Sequence, residues 1–233
     1  MKKQLFGAIA ISVLAAGSIA HAQDDGAFGS VSGSIALTSD YIFRGYSQTA
    51  EDPAIQGGLT WSADAGFYAG FWGSNVEFAP GDGASLELDL FAGYSGAVDN
   101  LSYDVGVIYY AYPGDAAGTN YDYWEGAVKL GYDFGPASWT AGVYYSPDNF
   151  GGTNDAVYLT TGVAVPLAEN FSIDANIGRN EVDPSFGPDY FDWNVGMTVS
   201  LPWADASVRY YDTDVSGCAL CDSRVVFTIS KGF

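Results

Sequence analysis

Apolar and polar residues alternate with a period of two along most of the chain. From Leu86 to Tyr94, apolar residues occupy every second position, while Glu87 and Asp89 stand on the opposite face. An extended strand separates successive side chains in this way, whereas a helix would bring them onto a common face. The same alternation recurs at residues 101–110 and 191–201. The pattern therefore predicts an all-β protein.

About twelve segments carry this alternation, an even number as in single-chain bacterial outer-membrane barrels. Most of them approach the roughly 9 to 11 residues of a tilted membrane strand. The predicted strands lie near residues 30–44, 54–62, 67–75, 85–94, 101–112, 121–132, 137–146, 156–165, 171–181, 189–201, 206–212 and 224–233.

The connections between these segments alternate in length. Short ones fall at residues 63–66, 95–100, 133–136, 166–170 and 202–205, and longer, acidic ones at 45–53, 76–84, 113–120, 147–155, 182–188 and 213–223. Short periplasmic turns and long external loops are the layout of a transmembrane barrel. We therefore predict an antiparallel up-and-down barrel with both termini in the periplasm.

A soluble β-sandwich or barrel is the alternative, because it also has alternating strands. It would point its apolar face inward. The polar face here mixes Gly, Ser, Thr, Asn, Asp and Tyr, as a wet lumen does. Aromatic residues also gather near predicted strand ends, where girdles at the membrane interfaces would lie: Tyr41, Phe43, Phe67, Tyr121, Trp139, Phe171 and Phe191.

The first residues predict a secretory signal peptide. Met1, Lys2 and Lys3 precede an apolar run over residues 5–19, and Ala20, His21 and Ala22 form a small-x-small cleavage site. A transmembrane anchor is the alternative, but the run falls short of the roughly 20 residues that a spanning helix needs. We expect cleavage after Ala22, a mature barrel over 23–233 and export to a Gram-negative outer membrane.

Charge and histidine content restrict the chemistry. The formal net charge is −20, and cleavage also removes Lys2 and Lys3; such an acidic surface repels phosphate backbones, so nucleic acid is not an expected partner. The single histidine, His21, leaves with the signal peptide, which removes the usual catalytic base.

Carboxylates alone remain as an alternative route to catalysis, through Glu87, Asp89, Asp104, Asp174 and Asp192 on the predicted lumen face. Such residues more often line a wet pore. We expect no enzyme, no catalytic residues, no cofactor and no metal, because the acidic loops lack an EF-hand spacing.

The stretch Thr38-Ser39-Asp40-Tyr41-Ile42-Phe43-Arg44-Gly45-Tyr46-Ser47-Gln48-Thr49, followed by residues 53–58, carries a family resemblance. It resembles the opening motif of the Gcw_chp family, conserved proteobacterial outer-membrane proteins without an assigned activity. The resemblance extends over most of the mature chain and implies a barrel. It implies no mechanism.

The phase of the first predicted strand places Tyr41 and Phe43 toward lipid, with Val31, Ile35 and Leu37. Thr38, Asp40, Ile42 and Arg44 then face the lumen. Asp40 and Arg44 are expected mainly to form a structural charged pair that fixes the geometry of the first external loop, with Gly45 permitting a turn. In the alternative, Asp40 and Arg44 form a polar constriction that selects solutes, together with Gln56 from the neighbouring strand.

Acidic and basic residues are expected to face each other across the lumen. Arg44, Lys129, Arg209 and Arg224 would oppose the carboxylates and impose a transverse field, while the acidic excess would favour cations. The functional hypothesis is a passive, cation-preferring channel or a narrow solute-selective pore, in which Tyr110 and Tyr144 partly fill the lumen. A non-transporting surface barrel, acting as adhesin, scaffold or partner-binding protein, is the alternative.

The last strand ends on Phe233, in phase with Val225, Phe227 and Ile229. This resembles the C-terminal signal by which the barrel-assembly machinery recognises outer-membrane proteins. Lys231 departs from the usual apolar residue at its position, but its long stem can snorkel toward the interface. The expected partners are therefore the assembly machinery, outer-membrane lipid and lipopolysaccharide, and small solutes or cations.

Cys218 and Cys221 lie three residues apart in the last long loop. A C-x-x-C pair suits a redox motif, half of a zinc site or a disulfide. A redox motif favours a helix N-terminus, a zinc site needs two more ligands, and the periplasm is oxidising.

We predict a disulfide between these two cysteines. Mass spectrometry of the purified protein after alkylation should show no labelled thiol without reductant and two labelled thiols with it. Labelling of both cysteines without reductant would exclude the bridge.

Overall fold

The computed structural model describes residues 29–78 and 81–233, so the predicted signal peptide at residues 1–22 lies outside the described part. Twelve long antiparallel strands close into one barrel. They are β1 (Ser30–Thr38), β4 (Ala54–Ser62), β5 (Phe67–Asn75), β6 (Leu86–Val98), β7 (Leu101–Ala111), β8 (Tyr123–Asp133), β9 (Ser138–Ser146), β10 (Ala156–Ala168), β11 (Phe171–Val182), β12 (Tyr190–Ser200), β13 (Asp205–Thr213) and β14 (Arg224–Gly232).

The predicted alternation sorts residues to the two sides of this wall. In β6, Leu86 and Leu90 are exposed on the outer surface, while Glu87 and Asp89 are buried inside. Other strands repeat the arrangement, so the outer surface is an apolar band of the kind that hydrocarbon solvates. No helix in the described ranges is both long and apolar enough to cross a bilayer.

The two ends of the barrel differ, as the loop lengths predict. The start of β1, the end of β14 and the short turns at 63–66, 99–100, 134–137, 169–170 and 201–204 lie at one end, called here the turn end. The longer connections at 39–53, 76–85, 112–122, 147–155, 183–189 and 214–223 lie at the other, the loop end. Which end faces the periplasm stays a prediction.

The barrel closes where its first and last strands meet. β1 pairs with β4 from Ser30 to Thr38, and with β14 only from Ser34 to Thr38. Beyond β14, the Phe233 amide donates to the Gly33 carbonyl at 3.0 Å, and the Gly33 amide donates to the Phe233 carbonyl at 2.7 Å. The terminal residue thus extends a short seam.

The prediction that the first strand continues to residue 44 is wrong. β1 ends at Thr38, and two short strands, β2 (Ile42–Phe43) and β3 (Tyr46–Ser47), form a separate hairpin. Tyr41 is 1% exposed and packs inside the barrel instead of facing lipid. Tyr121 is also not part of a girdle, because its ring stacks on Phe150 at 4.4 Å.

The inner face of β5 is closely packed at Gly70. A Cβ there would lie 2.4 Å from the Leu59 carbonyl oxygen and 2.6 Å from Cζ of Phe91. A Cβ added at Gly126 on β8 would have no atom within 4 Å. The Gly126→Ala variant therefore provides a matched control.

We predict that Gly70→Ala lowers the free energy of unfolding by about 1–3 kcal/mol through overpacking, whereas Gly126→Ala changes it by less than about 0.5 kcal/mol. Thermal unfolding in detergent, followed by circular dichroism, measures both. Equal midpoints for the two variants would contradict the packing described.

Candidate functional site

The segment after β1 turns into the barrel through a tight hairpin. Ile42 pairs with Ser47 and Phe43 with Tyr46, which leaves Arg44 and Gly45 as a two-residue turn. Both turn residues have positive φ, +48° and +86°, the backbone of a type I′ turn. Glycine adopts this conformation without strain, whereas arginine rarely does. A strained residue that the surroundings hold in place points to a functional position.

The base of this hairpin is fixed to the wall at β5 and β6. The Glu77 amide donates to the Gln48 carbonyl at 2.7 Å. Tyr41 packs edge-on against Trp72, with ring centroids 5.6 Å apart. Its hydroxyl donates to Oε1 of Glu87 at 2.7 Å. The predicted lumen residue Glu87 therefore holds the hairpin.

The tip of the hairpin reaches the far wall. Nη2 of Arg44 lies 2.7 Å from Oε2 of Glu125 on β8, and the two side chains are 7% and 1% exposed. The guanidinium lies over the ring of Tyr158 on β10, 4.3 Å from its centroid, and 5.5 Å from that of Tyr144 on β9. Tyr190 donates to the Arg44 carbonyl at 3.1 Å. The hairpin thus spans the lumen.

Asp40 does not pair with Arg44, which corrects the interpretation of these two residues as a pair. Its Oδ2 accepts a hydrogen bond from Arg224 at 3.0 Å, and its Oδ1 accepts one from the Ser47 hydroxyl at 2.7 Å. Arg224 also donates to the Ala219 carbonyl at 2.8 Å. Arg224 therefore connects the hairpin to the loop before β14.

That loop carries the two cysteines. A short 3₁₀-helix, η1 (Ala219–Cys221), follows Cys218, and a disulfide joins Cys218 to Cys221. The Thr213 hydroxyl donates to the Cys221 carbonyl at 3.0 Å. The disulfide thus lies in a small loop that packs on β13 and, through Arg224, on the hairpin.

The remaining basic residues lie beside acidic ones instead of on an opposing face. Lys129 and Asp104 are direct register partners on β8 and β7, with Nζ 3.5 Å from Oδ1. Arg209 binds both oxygens of Asp174, at 2.6 and 2.7 Å. Local pairing of this kind produces a weaker transverse field than the separated sets expected from the sequence.

Register explains the second of these pairs. Gly196 on β12 stands between Arg209 on β13 and Asp174 on β11. A Cβ at Gly196 would lie 2.6 Å from Cζ of Arg209. The glycine therefore allows the guanidinium to lie flat across β12, where Asn194 also accepts from it.

Aromatic side chains fill the lumen near the loop end. Tyr110 and Tyr123 stack with centroids 4.4 Å apart, and both are buried. Above them Phe78 packs edge-on against Tyr112, Tyr121 and Phe150. The expectation that Tyr110 occupies the lumen agrees with this arrangement.

A cavity of about 460 Å³ lies below the hairpin. Residues 41–45 form its upper boundary, and Ser138 and Ser172 line it near the turn end. Charged residues in its wall are Asp40, Arg44, Lys129, Asp174, Asp192 and Arg209. The volume falls in the range of about 300–1,000 Å³ of small-molecule sites.

The predicted lumen residues divide between this cavity and the structure around the hairpin. Gln56 joins the six charged residues in the cavity wall, whereas Glu87, Asp89, Asp104 and Arg224 are not part of it. Among the described residues, no group of three or more Asp, Glu, His or Cys side chains is placed to hold a metal ion.

Two residues at the tip, Glu125 and Tyr158, were not identified from the sequence. Glu125 has the same strand phase as Lys129, so the alternation contains the signal that places it in the lumen. Its pairing with Arg44 has no local signal, because 81 residues separate the two.

Solved porins share this fold. The barrel is similar to the KdgM porin, with a TM-score of 0.59 and 8% identity over 87% of this chain and 98% of that one. It is also similar to the KdgM porin in complex with disordered oligogalacturonate, with a TM-score of 0.56 and 8% identity over 87% and 97%. The outer membrane protein OpdK from Pseudomonas aeruginosa gives a TM-score of 0.47 and 11% identity over 78% and 58%.

The likeness to the KdgM porin concerns the fold, a closed barrel of porin type. No curated protein matches the chain. The family model described as "Bacterial protein of unknown function (Gcw_chp)" matches residues 21–233. The chain therefore belongs to the Gcw_chp family.

Proposed function

We propose that the mature chain is an outer-membrane channel in which the inward hairpin narrows the path to small solutes. The observation that carries this proposal is the position of Arg44, which lies between Glu125, Tyr144 and Tyr158 on the wall opposite β1. The porin fold favours passage over catalysis. The loop end faces outward against lipopolysaccharide, the turn end faces the periplasm, and Phe233 presents the signal to the assembly machinery.

Barrel size and filling support a narrow path. Twelve strands enclose less space than the 16 to 18 strands of general porins. Tyr110, Tyr123 and the hairpin occupy part of that space, and the cavity below them is polar. Solutes must therefore pass beside the hairpin tip or wait for it to move.

The charge balance supports a modest cation preference. Acidic side chains outnumber basic ones on the described lumen face, where Asp192 lines the cavity and has no basic partner within ion-pair distance. Excess fixed negative charge along a narrow lumen attracts cations.

We predict that loosening the tip increases conductance. In Gly45→Val, a Cβ would lie 2.3 Å from Cγ2 of Thr213 and 3.0 Å from Cβ of Asp192, at a φ of +86°. A strain of about 1–3 kcal/mol shifts the docked hairpin toward undocked by roughly 5- to 150-fold. Single-channel recording in planar bilayers should show larger or more frequent open levels than in the wild type.

Gly118→Val is the matched control, since Gly118 also has a positive φ, +95°, but no atom within 4 Å of its Cβ position. Arg44→Met combined with Glu125→Gln tests the same contact of the hairpin tip with the wall. The double variant does not leave a buried unpaired charge, which would itself cost about 3–5 kcal/mol. An unchanged conductance in both tip variants, with the barrel folded, contradicts gating by the hairpin.

Ion selectivity is a separate prediction. Under a tenfold KCl gradient the wild type should give a reversal potential of the sign that indicates K⁺ permeation, and Asp192→Asn should reduce its size. A potential of the opposite sign rules out cation preference and leaves the channel itself intact.

A non-transporting barrel is the second candidate, because the hairpin contacts the wall from β5 to β14 and can act as a permanent plug. Liposome swelling separates the two. Swelling of liposomes in small sugars that is faster for the tip variants than for the wild type supports a channel. The absence of swelling in every variant supports a plugged scaffold.

A further inference from the structure

We infer that the cavity below the hairpin binds an uncharged polyhydroxyl solute of monosaccharide size through two neighbouring amides, those of Asn176 and Asn194. This inference rests on the proposed function and deepens it, since it names the class of solute that the channel would take. It follows from hydrogen-bonding groups that lie next to each other, open onto the cavity and have no partner in the protein.

Strand register places these amides in one row across the lumen wall. Asn176 on β11 pairs with Asn194 on β12, which pairs in turn with Tyr211 on β13. On the other side, Asn176 pairs with Gly162 on β10, and Gly162 pairs with Thr140 on β9. Every member of this row except the glycine lines the cavity, and none carries a charge.

Hydrogen bonds fix how the two amides are turned. Oδ1 of Asn194 accepts from Arg209 and, at 3.3 Å, from Nδ2 of Asn176. The same Nδ2 donates to Oδ2 of Asp174, also at 3.3 Å. Asn194 is therefore left with a free donor, its Nδ2, and Asn176 with a free acceptor, its Oδ1.

Both free atoms are accessible to a solute. Neither has a hydrogen-bond partner in residues 29–78 and 81–233, and neither is among the buried polar atoms that lack one. The two side chains are half-buried and face the cavity. Oδ1 of Asn176 lies over Gly162, where an added Cβ would collide with it. The glycine thus leaves room for the acceptor.

A free donor beside a free acceptor suits two adjacent hydroxyl groups. A hydroxyl both accepts and donates, so one can accept from Asn194 while its neighbour donates to Asn176. Thr140 has a hydroxyl without a partner in the described part of the chain, and so do Ser138 and Ser172. Thr140 stands two strands from Asn176, about 10 Å along the wall. One sugar ring with hydrogen bonds on both sides spans such a gap.

The charges around the row favour an uncharged solute. Arg209 binds both oxygens of Asp174, at 2.6 and 2.7 Å. The unpartnered atoms of Lys129 and Asp192 are fully buried, so they are not available to a solute. An ion would lose hydration here without a counter-charge. A polyol exchanges its hydrogen bonds to water for bonds to the amides, and the Tyr211 ring offers apolar surface to its C–H groups.

The experiment compares D-glucose with two charged sugars of the same ring, the anion D-glucuronate and the cation D-glucosamine. The purified full barrel, in a detergent without a sugar head group, is titrated with each and followed by saturation-transfer difference NMR. Block of ionic current in planar bilayers is measured with the same sugars. The wild type should bind D-glucose about fivefold or more tightly than either charged sugar.

Two variants test the amide row. Asn176→Ala removes the acceptor and should weaken D-glucose binding about fivefold. Gly162→Ala keeps every polar group, but its Cβ displaces Oδ1 of Asn176, so it should weaken binding as well. Asn170→Ala is the control for the first, because Asn170 is exposed in a turn outside the cavity wall. Gly126→Ala is the control for the second. Both controls should bind as the wild type does.

The two measurements separate this inference from the channel proposal. Tighter binding of either charged sugar than of D-glucose by the wild type overturns the polyol site. Glucose binding that is unchanged in both row variants, with the barrel folded, also overturns it. Ionic current without binding of any of the three sugars contradicts the site and leaves the channel intact. Glucose binding that both row variants weaken, in a barrel that passes no current, supports the site and contradicts the channel.

Discussion

Closure of the backbone hydrogen-bond ladder is the constraint on which the rest of this structure depends. β1 pairs with β4 on one side and β14 on the other, so none of the twelve barrel strands is left as an open edge. Unpaired backbone groups are very costly in hydrocarbon, and a closed wall with an apolar outer surface avoids them. The same closure encloses an interior, into which alternate residues of every strand must point.

That interior combines the aromatic cluster near the loop end with charged side chains that are held in place by pairing. Buried ions are costly unless they are paired and hydrogen bonded, and Arg44, Arg209 and Arg224 each lie within 3.0 Å of a carboxylate. The hairpin belongs to this network, because two of these three pairs join it to the wall. Position and charge are therefore coupled: moving the hairpin separates the Arg44–Glu125 and Asp40–Arg224 pairs.

Strand positions and facing directions were predictable because side-chain alternation is a local property of extended chain. The lumen positions of Glu87, Asp89, Asp104 and Asp192 followed from it directly. The end of β1 was not predictable in this way, since Tyr41 and Phe43 keep the phase of the apolar residues before them while long-range contacts draw this segment inward. The acidic partner of each basic residue was also not predictable from the sequence. The Lys129–Asp104 pair depends on strand register, and the Arg44–Glu125 pair depends on a contact across the lumen.

The hairpin's contacts also constrain when it can reach its place. It belongs to the first part of the chain, yet its partners Glu125, Tyr190 and Arg224 lie 81, 146 and 184 residues from the residues that they bind. Contacts of such high contact order form late, since the intervening chain must first be ordered. The segment that is synthesised early thus cannot complete its docking until β8, β12 and β14 have taken their places in the wall.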